Sequence, residues 1–267
     1  MTAPGSVRGA TLVTGASSGI GRALAGLFAA DGHELVLLAR GTARLESTAA
    51  ELEARHGIRA HVLAEDLADP EAPGRIVEGI GRLGLVVDHL VNNAGFSVYG
   101  PFLETDREAE RDMLQVNAVA PTALARLFAP GMVNRGAGRI LNVASTAAFQ
   151  PGPRMAVYYA TKAYLLSLSV ALSVELEGTG VSVTALCPGA TRTGFAERAG
   201  LERSRLFNEE RFLLDPGEVA RAGYAGMLRG DRVVVPGAIH KVHDLAVRFV
   251  PRGLAARMVS AVQAPLD

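Results

Sequence analysis

An α/β fold, with one doubly wound parallel sheet and helices on both faces, is what this 267-residue chain predicts. Three observations carry the prediction. Short apolar runs alternate with amphipathic stretches from end to end, and most runs are continuous, as in Leu35-Val36-Leu37-Leu38. Such runs are expected where helices cover both sheet faces. The first run, Thr11-Leu12-Val13-Thr14, leads straight into the glycine-rich turn Gly15 to Gly21 and then a helix opening at Arg22-Ala23-Leu24. Alternation of strand and helix also requires parallel strands joined by right-handed crossovers.

Taken in order, strands are expected near 10–14, 34–39, 58–64, 86–92, 138–144 and 181–187, with a short last one at 232–235. Helices are expected near 19–31, 42–56, 70–82, 106–134, 155–178 and 217–229. Thr105 with Glu108 reads as a capping box for the long fourth helix. Asp215-Pro216-Gly217-Glu218 puts proline at the first helical position of the sixth. Gly136 and Gly178 mark helix ends. No repeat or linker divides the chain, so one domain is expected, with a core of about 8–235 and a helical extension of about 236–265.

Composition narrows the function. Hydrophobic residues make up 49% and charged residues 20%, enough for a large core and too apolar for disorder. Lys+Arg and Asp+Glu balance at 27 each, so no nucleic-acid partner is expected. The single Cys187 cannot form an internal disulfide and fits a reducing cytoplasm as a buried structural thiol. Residues 1–9 hold no export signal, and no apolar run approaches the length of a transmembrane segment. His240-x-x-His243 has no complete ligand set beside it, so no metal is expected.

Two segments carry chemistry. The turn Gly15-Ala16-Ser17-Ser18-Gly19-Ile20-Gly21 would present backbone N–H groups and a helix N-terminus to a pyrophosphate, which points to a Rossmann-type dinucleotide site. Farther on, Tyr158 and Lys162 stand one helical turn apart, after Ser145. A nearby ammonium favours phenolate, and bringing a phenol from about 10 to about 7 is about 4 kcal/mol of differential stabilisation. The pair reads as an acid/base matched to neutral pH, with the Ser145 hydroxyl free to hold a substrate oxygen. Tyr159, three residues before Lys162, reads as a packing residue.

Together, Thr14 to Gly21, Asn92-Asn93-Ala94-Gly95, Asn117, Ser145, Tyr158 with Lys162, and Pro188-Gly189 resemble the short-chain dehydrogenase/reductase family, in its order and at its spacings, over about 8–235. The resemblance implies a nicotinamide dinucleotide cradled by Gly15, Ser17, Ser18, Gly19, Ile20 and Gly21. It implies adenine contacts from Asp66-Leu67, a trough lined by Asn93, Ala94 and Gly95, and a clasp from Pro188, Gly189 and Thr193, with Thr191 as second choice. It assigns proton transfer to Tyr158, the substrate oxygen to Ser145, and phenolate and ribose support to Lys162. Asn117 would bend its helix and anchor a water leading to Lys162. Arg40 follows the second strand where an acidic residue would repel a 2′-phosphate; Ala39 and Arg40 offer a guanidinium instead, which favours NADP(H), with Arg44 assisting.

Phe96, Val98, Tyr99, Phe149, Pro151, Met155 and Phe195, with a lid of Leu206, Phe207, Phe212 and Leu213, suggest a small hydrophobic ketone or alcohol as partner. Arg154 and Arg192 read as solvated. The tail, punctuated by Val242, Leu245, Phe249, Leu254, Met258 and Val262 with Arg248, Arg252 and Arg257, is expected to pack over the substrate mouth or a subunit interface rather than a membrane. The resemblance also implies a homodimer or homotetramer paired through the helices of Asn117 and Tyr158. The alternative to an enzyme is a catalytically silent dinucleotide-binding regulator on the same fold; the presence of Ser145, Tyr158 and Lys162 argues for catalysis.

Overall fold

The computed structural model describes residues 8–201, 213–237 and 249–264. His240 and His243, the lid candidates Leu206, Phe207 and Phe212, and the tail positions Val242, Leu245 and Arg248 lie outside the described residues.

Seven described strands form one parallel sheet. They are β1 Arg8–Thr14, β2 Glu34–Ala39, β3 Ala60–Ala64, β4 Leu85–Asn92, β5 Gly138–Val143, β6 Val181–Leu186 and β7 Val233–Val234, in the order β3-β2-β1-β4-β5-β6-β7. Each sits where its apolar run predicted, and the doubly wound Rossmann-type sheet is the one expected. Helices cover it as α1 Gly19–Ala30, α2 Thr42–His56, α3 Ala72–Arg82, α4 Arg107–Leu114, α5 Ala120–Arg135, α6 Ala156–Glu175, α7 Phe195–Arg198, α8 Pro216–Arg229 and α9 Arg252–Val262.

The two-residue period of a strand sends neighbours to opposite faces. Leu12, Val36, Leu38, Leu90 and Ile140 pack with Ile76 and Ile80 of α3 and Leu124 and Met132 of α5. Val13, Leu35, Leu37, Val91 and Leu141 pack with Leu24 and Phe28 of α1, Leu45 and Leu52 of α2, and Val219 and Met227 of α8. Phe28 is fully buried, a transfer worth about 1.5–3 kcal/mol, and its ring meets Tyr224 edge-on at 4.8 Å. The Tyr224 hydroxyl donates to Asp31 at 2.5 Å, tying α8 to the end of α1.

Three local expectations are corrected. The long fourth helix is interrupted by a π-helical turn, Gln115–Val119, between α4 and α5. Its N-cap is Asp106, whose carboxylate accepts from Glu108 N at 2.8 Å, whereas the Thr105 hydroxyl donates to Glu110 Oε1 at 2.7 Å. The one-residue shift follows from Asp106 being the better acceptor beside the first free N–H groups. α6 ends at Glu175, ahead of Gly178. Gly136 does cap α5 at φ 66°, and Asp215 with Pro216 does start α8.

Two helices, Arg107–Arg135 and Ala156–Glu175, are long and apolar enough to cross a membrane by length and composition, with mean hydropathy 1.2. No uninterrupted apolar run in them had suggested this, because Thr122, Ser167 and Ser169 break the runs. Their inner faces pack on the sheet and around the cleft, as in core helices.

Candidate active site

β1 and β4 are neighbours, yet the chain leaves β1 for β2 and β3 on one side and continues from β4 toward β5 on the other. Loops diverge at such a switch point and leave a crevice beyond the strand ends. That crevice is here a cleft of about 1210 Å³.

One end is built by the glycine turn after β1. Gly15 has φ 66°, and a Cβ there would stand 2.8 Å from Asn93 Nδ2. At Gly21 it would stand 2.3 Å from the same nitrogen and 2.4 Å from the Gly15 carbonyl oxygen. Glycine is therefore what lets α1 begin tight against the turn. Asn93 Nδ2 donates to the carbonyls of Thr14 and Gly15 at 2.9 and 3.2 Å, and the Thr14 hydroxyl accepts from Asn93 N and Ala94 N. The N-cap Ser18 is extended and its side chain caps nothing, so the first N–H groups of α1 keep no side-chain partner.

Gly15, Ser17, Ser18, Gly19, Ile20, Arg40, Asp66, Leu67, Asn93, Ala94, Gly95, Pro188, Gly189, Thr191 and Thr193 all line the cleft. Gly21 does not; it sits behind the wall as a packing position. Arg40 and Arg44 reach the rim beyond β2, where Arg40 is 76% exposed and lies 3.9 Å from Asp66. Asp66 also accepts from Ala68 N at 3.0 Å, turning the chain at the adenine end that the resemblance implies. A long cleft with a glycine cradle, a free helix N-terminus and cations at the rim fits a dinucleotide.

The other end holds Ser145, Tyr158 and Lys162. Tyr158 and Lys162 share a face of α6 and are 8% and 4% exposed. Lys162 Nζ donates to the Val143 carbonyl at 2.8 Å and lies 5.7 Å from the Tyr158 ring centre. The expected lowering of the Tyr158 pKa is contradicted: burial pushes it up to about 12, with the hydrogen bond to Ser145 acting the other way. Lys162, also desolvated, is pushed down to about 8. The ammonium is turned toward the Val143 carbonyl, and desolvation is the largest cause at both groups. Nor is Ser145 free: it accepts from Ala147 N at 3.1 Å and donates to the Pro188 carbonyl at 3.4 Å, which draws the loops after β5 and β6 together.

Asn117 does not line the cleft. From the π-helical turn its Nδ2 donates to the Phe96 carbonyl at 2.9 Å while its Oδ1 accepts from Phe96 N at 3.1 Å. Nδ2 also reaches the Thr161 hydroxyl at 3.3 Å. A Cβ on Gly95 would stand 3.0 Å from Asn117 Oδ1 and 3.4 Å from Lys162 Nζ, so these groups converge on one point of backbone.

Of the expected apolar wall, Phe96, Met155 and Phe195 line the cleft; Val98, Tyr99, Phe149, Pro151 and Leu213 do not, and neither do Arg154 and Arg192. Their places are taken by α9 and the residues flanking it, through Val250, Ala255, Met258, Val259, Val262 and Gln263. The described part of the tail therefore lines the cleft. Gln263 was missed; a lone glutamine on the apolar stripe of Ala255 and Val259 was its only signal. Tyr159, expected only to pack, also holds a hydrogen bond from Gln263. Beneath the site, Asn92 Nδ2 donates to Asn142 Oδ1 at 2.9 Å, and Asn142 Nδ2 donates to Ser169 Oγ at 2.9 Å, a buried network joining β4, β5 and α6.

The family model for short chain dehydrogenases matches residues 10–203. The probable oxidoreductase EphD of Mycobacterium tuberculosis H37Rv is 39% identical over 189 residues, 70% of this chain and 32% of that protein, so the chain spans about a third of the length of this relative. The very-long-chain 3-oxoacyl-CoA reductase of Pyrenophora tritici-repentis is 31% identical over 261 residues, 94% of this chain and 74% of that one. Among solved structures, a short-chain dehydrogenase from Sphingobium yanoikuyae in complex with NADPH is similar at 33% identity and TM-score 0.79, covering 94% of this chain and 99% of that one. The bulky-bulky ketone specific alcohol dehydrogenase from Comamonas testosteroni is similar at 30% identity and TM-score 0.76, covering 95% and 99%. A 3-oxoacyl-[acyl-carrier protein] reductase from Brucella melitensis with bound NAD is similar at 29% identity and TM-score 0.72, covering 85% and 88%. The family match runs through most of the sheet and both ends of the cleft, and a relative above 30% identity covers nearly the whole chain: this chain belongs to the short chain dehydrogenase family.

Proposed function

We propose that this protein is an NADP(H)-dependent oxidoreductase that interconverts a hydrophobic ketone and its secondary alcohol, with Tyr158 as the general acid/base. One observation carries the reading: a buried, protonated phenol beside Ser145 and Lys162 ends a cleft whose other end is a dinucleotide cradle. The glycine turn, Asp66, Leu67, Asn93 to Gly95, Pro188, Gly189 and Thr193 would hold the dinucleotide. When bound, the nicotinamide supplies the hydride and, oxidised, a positive charge that lowers a neighbouring phenol's pKa.

The remaining work belongs to the chain. In reduction, the Tyr158 hydroxyl gives its proton to the substrate oxygen, which Ser145 orients by turning its hydroxyl hydrogen from the long 3.4 Å contact with the Pro188 carbonyl to that oxygen. Lys162, whose amine keeps its proton below about pH 8, stabilises the phenolate left behind. Asn117 holds the Phe96 backbone and so fixes the loop carrying Gly95. Phe96, Met155, Phe195 and α9 exclude water from an apolar chamber. Similarity to relatives whose names specify 3-oxoacyl-CoA and bulky ketones supports a carbonyl on an apolar skeleton. The Sphingobium relative with NADPH and the Arg40 rim favour NADP(H), although a relative with NAD shows that the fold accepts either.

A panel of aliphatic, aryl and steroid-like ketones and alcohols, read by nicotinamide absorbance, tests this. Turnover of apolar ketones with NADPH is expected. A protein that binds NADPH yet turns over no carbonyl or alcohol with either cofactor would instead be the silent regulator.

A further inference from the structure

Gln263 ends α9 on its inward stripe and is only 1% exposed, although glutamine is seldom fully buried. Its Nε2 donates to the Tyr159 hydroxyl at 2.6 Å and approaches Met155 Sδ at 3.5 Å. Its main-chain carbonyl accepts from the Tyr99 hydroxyl at 2.5 Å. Three separate pieces thus meet on one residue: the loop after β4, the turn before α6, and α6 itself. Gly152 makes the room, since a Cβ there would stand 2.3 Å from the Tyr159 ring.

The rest of the inward face of α9 is apolar, with Val259 in the buried cluster of Met155, Tyr158 and Tyr159. Ala255 and Val259 contribute small apolar contacts, while Leu254, Met258 and Val262 are largely exposed. Apolar contacts carry no direction, so the amide is what fixes the orientation of this wall among the described residues. Gln263 Oε1 is buried without a hydrogen-bond partner among the described residues, and reversing the amide would only exchange which atom is orphaned. A buried, half-satisfied amide at the apolar end of a cleft is unexplained by packing alone.

We infer that Gln263 is a specificity-determining residue: it latches α9 as a fixed wall over the substrate end of the cleft and so sets the size of carbonyl compound that reaches Tyr158. The inference rests on the reductase reading above. With the wall fixed, a compact ketone is enclosed and a ketone bulky on both sides of its carbonyl is resisted. With the wall released, compact ketones lose their enclosure and bulky ones gain room.

Gln263→Leu keeps the volume and removes the side-chain hydrogen bond, leaving the main-chain carbonyl to accept from Tyr99; Tyr159→Phe removes the same side-chain contact from the other side. Kinetics compare cyclohexanone with benzophenone, using whichever of NADPH and NADH turns over faster, and amide hydrogen exchange on the protein without ligands reads residues 252–262. Each variant is expected to raise the benzophenone-to-cyclohexanone ratio of kcat/KM at least about fivefold, the effect of one hydrogen bond, mainly through KM. The amides of α9 are expected to exchange at least about tenfold faster, while β4 and β5 keep their protection. The double variant should shift no further than the larger single, because both cut one contact. Exchange in α9 equal to wild type overturns the latch, whatever the kinetics. Faster exchange with a ratio unchanged within about twofold overturns its role in specificity. A wild-type protein that reduces no ketone rejects the reductase reading instead, and hydrogen exchange then decides the latch by itself.

Discussion

Ionising a buried phenol strands a charge away from water, and at Tyr158 this outweighs the hydrogen bond with Ser145. In the proposed reaction the phenol would be a proton donor held ready, and Lys162 would act on the phenolate only once it forms. Tyr158→Phe should lower kcat by about 10²–10⁴-fold, the range for a positioned acid, while NADPH binding by fluorescence titration stays near wild type. Retention of more than about a tenth of the rate would show that another group supplies the proton. In the protein without cofactor, the phenolate absorbance that this variant deletes should appear only as pH approaches about 12. Arg40 carries the second residue-scale prediction. A charge-assisted bond to a 2′-phosphate is worth about 1.5–3 kcal/mol, or about 10- to 150-fold preference for NADPH over NADH in kcat/KM. Ala39→Asp with Arg40→Ser should reverse it, adding repulsion as well as removing attraction. Equal use of both cofactors by the native protein would place Arg40's guanidinium, already 76% exposed, in solvent.

Among elements, the turn between β1 and α1 tolerates little. A methyl at Gly21 has nowhere to go, with the Gly15 carbonyl at 2.4 Å and the Asn93 amide at 2.3 Å. Gly21→Ala should cost about 1–3 kcal/mol in urea unfolding, as overpacking does, and weaken NADPH binding because the turn and Asn93 move together. Wild-type stability and affinity in this variant would show that α1 can shift freely. The π-helical turn at Gln115–Val119 matters for a different reason. It aims Asn117 at the Phe96 backbone rather than at solvent, at the expense of regular helix hydrogen bonding.

On the scale of the whole molecule, Leu114, Val119, Leu127, Tyr164 and Val174 are exposed on the layer formed by α4, α5 and α6. We expect these helices to pair with a second copy, so light scattering at micromolar concentration should give a multiple of 27.9 kDa. A particle of 27.9 kDa alone would reject the pairing. Acid stability is set elsewhere in the molecule. His89 lies between the rings of Phe28 and His33, and burial pushes its pKa down to about 4. The unfolded chain binds this proton near pH 6.5, so the folded state is fully favoured above that value and loses ground as pH falls toward about 4. The loss reaches about 3 kcal/mol, taking 1.36 kcal/mol per unit. Urea midpoints measured between these pH values should decline in wild type and decline less in His89→Asn. Parallel slopes would remove His89 as the cause.

Alternating apolar runs and the glycine turn determined the sheet, its strand positions and the cleft's place, because strand period, crossover handedness and turn sterics are local or nearly so. The order of Ser145, Tyr158 and Lys162 determined which side chains converge. Tertiary structure alone decided their protonation, since desolvation depends on what packs around Tyr158 and on Lys162 turning to the Val143 carbonyl. It alone broke the long helix at Asn117, whose amide answers a backbone group 21 residues earlier. It alone brought Gln263 to Tyr159, 104 residues away, because a contact across that separation is set by how the intervening elements stack and not by any pattern at either end.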